Sequence, residues 1–525
     1  MHIRTSSDER TAEDSPPYLK TKCLCLAAVH HASPPPQSPL HPGSFTFLKY
    51  PMDRLPFALL LSIASLVAAE PVPATVIVHA DIKGLAIAPD FVGLSTEKKL
   101  MARDCFSAQN LDLIALCRTL GPGVFRIGAN NVDSTFFKRE GAPALESMQD
   151  NKYVTDPRTI GPKSIDAFFD FARTAGWKII YGVNLGANDP AMAADEADYA
   201  WKVGAKEIIA IEIGNEPNLY PKGPKREGIR PNSWRYPQYK AEFTAAYDAI
   251  KAKDAKIPIT GPALTKSTNW MPLFMADFKD RIALATSHVY HLSAPEADPK
   301  AQRFTSVEKL LGEKYPDDWI IKLKDATSVG VPYRIGECNT ASGGGKRGVS
   351  NAFVSALWSI DFMFDVAQAG GQGVNFHGSF TANNYSPIVF DKKTSRYVAA
   401  PMYYGMLFFS RAAQGRLVAS ELKTDANFIT HSVLGTDGKL RVTLVNKDLT
   451  KPVAASIAAG AQFTKGQALR LTAPSIDATS GVTFAGAAVN ADGTWAPKTP
   501  EALTLSAGNT TITLPPASAV LLILE

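Results

Sequence analysis

The sequence predicts an α/β protein, a (β/α)8 TIM barrel followed by an all-β sandwich that also takes a strand from the mature N-terminus. Three observations predict it. Short β-rich runs alternate with longer helix-like runs from about Phe91 to Gly378. Eight such pairs fill roughly 300 residues, the size of that barrel. After about Ala400 the texture changes to short alternating strands separated by Gly, Asp, Asn and Pro. The chain has 525 residues, 45% hydrophobic and 20% charged, with 26 Phe and 16 Tyr. That supplies a full-sized core and excludes collagen, a coiled coil and a disordered chain.

Residues 1–51 include HASPPPQSPLHPG, which has no hydrophobic periodicity, and are read as a disordered leader or an over-extended start. From Met52, MDRLPFALLLSIASLVAAEP carries Arg54, an apolar run Leu55–Val67 and small residues before Glu70. This is the plan of a cleavable signal peptide over 52–69, and the run is too short for a comfortable transmembrane helix. It implies a secreted or periplasmic protein with no membrane anchor after cleavage.

Residues 70–87 hold ATVIVHA (74–80), a strand with no helix after it, predicted to join the sandwich. The barrel is assigned to 88–400, with strands at 91–95, 123–129, 178–185, 207–215, 257–263, 282–290, 333–337 and 373–378. Between them lie amphipathic stretches such as 164–176, 238–254 and 350–370. The sandwich is assigned to 401–525, with strands in FITHSVL, LRVTLVNK, ALRLTA, TITLPP and AVLLILE.

Lys and Arg number 55 against 50 Asp and Glu. This mild surplus survives removal of the leader and is far below what nucleic-acid binders carry, so no nucleic-acid partner is predicted. Cys105, Cys117 and Cys338 make no disulfide framework; Cys105 and Cys117 either pair or sit apart on one helix. No Cys/His cluster has metal-ligand spacing, so neither metal nor cofactor is predicted.

In a barrel of this kind the chemistry sits at the C-terminal ends of the strands. Two carboxylates stand there: Glu216 in IEIGNEPNLY (211–220) and Glu337 in YRIGECN (333–339), on the fourth and seventh strands. Two carboxylates across a cleft meet the requirement for cleaving a glycosidic bond, one protonating the leaving oxygen while the other attacks carbon or activates water. A single Glu after a strand would more simply be a surface or salt-bridge residue. The GNEP context adds an amide side chain beside the acid, suited to a sugar hydroxyl, and a proline that ends the strand sharply.

These two motifs, in this order and 121 residues apart, resemble the acid/base and nucleophile motifs of the retaining glycoside hydrolases that share a TIM barrel. From about residue 75 to the end, the chain resembles glycoside hydrolase family 79, the β-glucuronidase and heparanase-like family. ECNTASGGGKRGVSNAFVSALWSIDFMFDVAQAGG (337–371) is similar to the heparanase stretch that runs from the nucleophile through a triple glycine into a helix bearing a Trp.

The resemblance implies that Glu216 is the general acid/base and Glu337 the nucleophile, with carboxyl groups about 5–5.5 Å apart. It implies that Asn215 binds the sugar's 2-hydroxyl, that His288 and Tyr290 occupy the HxY positions of the sixth strand with the phenol orienting the nucleophile, and that Glu97 and Asn130 meet distal hydroxyls. Gly343 and Gly344 match the loop whose N–H groups cradle the uronate carboxylate, and Tyr403 the tyrosine that adds a hydroxyl to it. Strand two reads GAN where relatives often have GG, and strand six has Val289 where heparanase has a second His. The function so implied is release of β-linked glucuronic acid, or its 4-O-methyl ether, from a glycan. The alternatives are an endo-acting heparanase-like enzyme on acidic polysaccharide and a non-catalytic carbohydrate-binding protein. The sequence does not give the oligomeric state.

Overall fold

Eight parallel strands close into a barrel because each is buried on both faces and followed by a helix that covers it. They are Val92–Glu97, Val124–Gly128, Lys178–Val183, Ile208–Ile213, Ile259–Leu264, Leu284–Ser293, Tyr333–Ser342 and Val374–His377, called the first to eighth strands below. The seventh strand pairs with the sixth and the eighth, and the eighth with the first, which completes the ring. The computed structural model describes residues 69–525 except 104, 142–157, 222–228, 267–268, 313–317 and 381–383. The predicted leader and all but the last residue of the predicted signal peptide lie outside these residues.

Local sequence explains the covering helices. Asn110 caps Leu111–Leu120 by accepting from the Leu113 N–H, and Asp189 caps Pro190–Gly204 by accepting from the Met192 N–H at 3.0 Å, with Pro190 in the first turn. Helix Pro162–Ala175 buries Ile165, Phe168, Phe169 and Ala172 and ends on Gly176 at φ 76°, a left-handed cap that glycine adopts without strain. Among the described residues, no helix is long and apolar enough to cross a membrane. Cys105 and Cys117 are not bridged: the Cys105 thiol donates to the Leu100 carbonyl, and Cys117 is buried in Leu111–Leu120.

The strand predicted at 74–80 runs from Val72 to Ala86 and lies between Arg416–Thr424, antiparallel, and Val453–Ala458, parallel. It completes one hydrogen-bonded sheet of ten strands, the all-β module predicted to take this N-terminal strand. The sheet curls on itself, so that Val76, Val442, Ile457, Ile512 and Val520 share one core. Residues 401–412, predicted to begin this module, instead form the helix Pro401–Ala412 that follows the eighth strand.

The period-two alternation of the last strand explains how sheet and barrel join. Val520, Leu522 and Leu524 enter the sheet's own core, while Ala519 and Leu521 enter the barrel's. At the same junction Lys447 of the sheet reaches Asp361 of helix Val354–Gln368 at 2.9 Å, with both side chains buried.

Candidate active site

Glu216 and Glu337 reach the same end of the barrel by different backbone routes. After the fourth strand the chain turns at Gly214, φ 78°, where a Cβ would lie 2.8 Å from the Tyr220 hydroxyl. Glu216 itself is left-handed, φ 47° and ψ 51°, a conformation that costs a non-glycine residue about 1–3 kcal/mol and that the surroundings must hold. Glu337 stands midway along the ten-residue seventh strand, opposite His288 of the sixth.

The two acids converge with His288 so that one ligand atom of each lies within 4.8 Å of the others. His288 Nδ1 is 2.9 Å from Glu216 Oε1. Two residues further on, and therefore on the same face of the strand, the Tyr290 hydroxyl donates to Glu337 Oε1 at 2.6 Å. The other oxygen of Glu337 accepts from Arg126 at 2.8 Å and lies 3.7 Å from His377 Nδ1. Three such groups have the composition of a metal site. In this structure Arg126 and Tyr290 each hydrogen-bond one oxygen of Glu337, and Nδ1 of His288 meets Glu216.

Arg126, on the second strand and wholly buried, is the hub. Its guanidinium bonds Glu212 at 2.7 Å, Glu337 at 2.8 Å, the Asn215 side-chain carbonyl at 2.9 Å and the Ser95 hydroxyl at 3.2 Å. Glu212 in turn accepts from the Thr286 hydroxyl at 2.7 Å. A buried charge is tolerable when paired and fully hydrogen-bonded, which is the case for this arginine. Burial alone would raise the Glu337 pKa. The adjacent His377, His288 and Arg126, with the Tyr290 hydrogen bond, outweigh burial and hold its carboxyl well below the usual range. Burial, reinforced by Glu337, pushes the Tyr290 phenol well up, so it remains a donor.

The other predicted residues are placed as follows. Asn215 is buried between Arg126 and Asn130, whose side-chain carbonyl it meets at 3.5 Å, and Asn130 is exposed. Glu97 ends the first strand half-buried and accepts from the Asn131 N–H at 2.8 Å. Burial raises its pKa against the opposing pull of His377 and that hydrogen bond. Gly343 and Gly344 follow the seventh strand directly, at φ 78° and 89°. A side chain at Gly343 would run into Pro295, within 2.7 Å.

Tyr403 does not come to this site. It stands on helix Pro401–Ala412 on the outside of the barrel, fully buried, and its hydroxyl donates to the Leu116 carbonyl at 2.7 Å. Its neighbour Tyr404 accepts from the Val489 N–H at 3.0 Å. Both tyrosines therefore tie structural elements together, and Tyr403 is withdrawn as a substrate-binding residue.

The tyrosine that does stand at the site is Tyr385, in the loop after the eighth strand. It hydrogen-bonds Tyr290, feels Glu337, Glu97 and Glu216, and packs on Gly345 so closely that a Cβ there would lie 2.8 Å from its own. Sequence reasoning missed it, together with Arg126, Glu212 and His377. For Arg126 and Glu212 a signal existed, since a charged residue inside a strand buried on both faces needs a partner.

The residues 430–521 match the model of the glycosyl hydrolase family 79 C-terminal beta domain. The chain is 27% identical over 401 residues to a β-glucuronidase of Aspergillus niger, covering 69% of this chain and 70% of that one. It is 24% identical over 279 residues to the heparanase of Mus musculus, covering 50% and 49%. Among solved structures, a 4-O-α-L-rhamnosyl-β-D-glucuronidase from Fusarium oxysporum superposes with a TM-score of 0.67 at 20% identity, over 87% of this chain and 99% of that one. A family 51 arabinofuranosidase from Xanthomonas axonopodis pv. citri superposes at 0.62 with 15% identity, over 86% and 100%. At those identities the superpositions speak for the fold.

Proposed function

We propose that the chain, whose residues 430–521 match the glycosyl hydrolase family 79 C-terminal beta domain and which is 27% identical to a β-glucuronidase, is a retaining β-glucuronidase of that family that removes terminal glucuronic acid, or its 4-O-methyl ether, from glycans. The observation that carries the mechanism is the approach of Glu216 and Glu337, with carboxylate oxygens within 4.8 Å. Retaining enzymes hold their carboxyl groups about 5–5.5 Å apart, whereas inverting ones leave roughly 6.5–9.5 Å for a water between them.

In the first step an oxygen of ionised Glu337 attacks the anomeric carbon, the bond from that carbon to the leaving oxygen breaks, and Glu216 gives its proton to that oxygen. The product is a glycosyl ester on Glu337. In the second step water attacks the same carbon, Glu216 takes the water's proton, and Glu337 leaves as carboxylate. Arg126 and Tyr290 fix the plane of the nucleophile throughout, so the reacting oxygen is oriented before substrate arrives. His288 aligns Glu216.

Uronate preference is assigned to the Gly343–Gly345 loop together with Tyr385, which takes the part first given to Tyr403. Three successive left-handed glycines let backbone approach a ligand without side chains, and Tyr385, whose Cβ packs on Gly345, carries its hydroxyl to Tyr290 beside the nucleophile. Glu97, Asn130 and Asn215 are assigned to sugar hydroxyls. The mild basic surplus favours an exo-enzyme over one that grips a sulfated polymer. The signal-like segment 52–69 favours a secreted or periplasmic setting.

The test is hydrolysis of an aryl β-D-glucuronide beside the β-D-glucoside and β-D-xyloside, for wild type and Glu337→Gln. Glucuronide cleavage with retained configuration, lost in the variant, is expected. Cleavage of a neutral glycoside alone would overturn the uronate assignment, and activity persisting in pure Glu337→Gln would overturn the nucleophile.

A further inference from the structure

A cavity of about 720 Å³ opens at the end of the barrel opposite the paired carboxylates. It lies beside the start of the first strand (Phe91, Val92) and the turn that precedes the second (Gly121, Pro122). Both crossings between barrel and sheet wall it: Ala86–Pro89 and Phe91 on the way in, and Ala413–Arg416 on the way out. Its size falls within the roughly 300–1,000 Å³ of small-molecule sites.

The chemistry of the lining is one-sided. Ile87, Phe91, Leu120, Phe409 and Leu434 make an apolar interior. The charged side chains that line it are Lys83, Arg411 and Arg416, and among the described residues no Asp or Glu lines it. Arg411 is half-buried and spends its hydrogen bonds on neutral oxygens, the Ser410 hydroxyl at 3.1 Å and the Thr119 carbonyl at 2.8 Å. Arg416 likewise donates to the Gly84 carbonyl at 2.8 Å. Among the described residues none of the three cations forms an ion pair. A guanidinium withdrawn from water without a counter-charge is costly, and its pKa is pulled down accordingly. Two exposed apolar side chains, Ile82 and Leu85, flank Lys83 on the same strand.

We propose that this cavity binds a free amphipathic carboxylate, a long hydrocarbon chain ending in a single anionic head. The tail lies between Phe91, Leu120 and Phe409, and the head meets Arg416, whose planar fork suits a carboxylate, and Lys83, while Arg411, its guanidinium stacked over Trp495 at 5.4 Å, adds positive charge behind them. A ligand seated there touches both crossings at once and therefore stiffens the junction of barrel and sheet.

Titration calorimetry of the whole protein with monomeric dodecanoate tests this, with dodecanol and butyrate as controls for tail and head. One dodecanoate per chain is expected, with dodecanol and butyrate each binding about tenfold more weakly or worse. Lys83→Glu with Arg416→Glu changes exposed side chains only and keeps the fold, and it should weaken dodecanoate about tenfold or more while leaving glucuronide hydrolysis unaltered. No binding of dodecanoate would overturn the proposal. So would equal binding of dodecanol, an affinity indifferent to the charge reversal, or retention on anionic phospholipid vesicles in place of the free acid.

Discussion

Replacing Tyr290 by Phe removes its hydrogen bond to the nucleophile, together with its weaker neutral hydrogen bond with Tyr385. The phenol donates to Glu337 Oε1 at 2.6 Å, while Arg126 continues to hold Oε2 at 2.8 Å. Hydrogen bonds to charged groups contribute about 1.5–3 kcal/mol, and if that interaction orients the carboxylate for attack, kcat/KM should fall roughly 10- to 150-fold. The loss should appear in kcat, because Tyr290 touches the reacting carboxylate and the ground-state sugar is gripped elsewhere. The proton balance moves in a fixed direction too. A donor to the ionised form lowers a pKa, so its loss raises that of Glu337, and any acid limb it contributes shifts to higher pH by about one unit per 1.36 kcal/mol. The assay is kcat and KM on an aryl glucuronide across pH 3–8, with thermal melting beside it (roughly the span over which carboxylates and histidines titrate). A kcat/KM within twofold of wild type, a loss confined to KM, or an acid limb moving to lower pH would refute the reasoning.

The Glu337 carboxyl is also a stability determinant. Its folded pKa lies below its unfolded value, so its contribution is present above about pH 4.3 and is lost as pH falls from there, and Glu337→Gln should flatten that part of a denaturation-against-pH curve. Tyr385→Phe should raise KM for a glucuronide about tenfold and leave neutral glycosides unaffected, whereas Tyr403→Phe should leave KM alone and lower stability by about 0.5–1.5 kcal/mol through loss of its bond to Leu116. Equal kinetic effects of the two would reverse that assignment. Lys447→Met leaves buried Asp361 with His431, 3.5 Å away, and should cost about 1–3 kcal/mol in chemical denaturation, with kcat of the folded enzyme unchanged; a neutral substitution would show that the pair does not brace the domains.

Periodicity revealed the barrel because its cause is local: a strand covered on both faces must be largely apolar, and Lys178–Val183 after its first residue and Val374–His377 before its last read that way in isolation. It did not reveal where the barrel ends. The helix Pro401–Ala412 is buried nearly all round, between the barrel and the sheet, and so lacks the polar stripe by which a surface helix is recognised. The curled sheet was harder still. Strands such as Arg416–Thr424 and Val453–Ala458 pair with Val72–Ala86 from the other end of the chain, a partner that no short window contains. Tyr403 and Tyr385 divide along the same line. Both follow the eighth strand, and only the three-dimensional path of the chain places one against Gly345 and the other against Leu116.

The catalytic centre shows what kind of residue a motif search omits. Glu216 and Glu337 were visible because each sits in a distinctive local string. Arg126 lies in VFRIG, where only its charge is unusual, yet it is the group that lets Glu337 and a further carboxylate, Glu212, be buried close together. Remove its charge and the two acids would repel across a medium that screens poorly, so neither the position nor the ionisation of the nucleophile would survive. A buried cation on a barrel strand is thus as informative as the acids it serves. It demands at least one anion within its reach, and here, across the barrel interior, it meets one on the fourth strand and another on the seventh. Those are the two strands whose ends the paired-carboxylate chemistry requires. Weighed in that way, Arg126 requires a buried anionic partner, while the identity of its partners, Glu212 and Glu337, comes from the closed barrel that brings their strands within its reach.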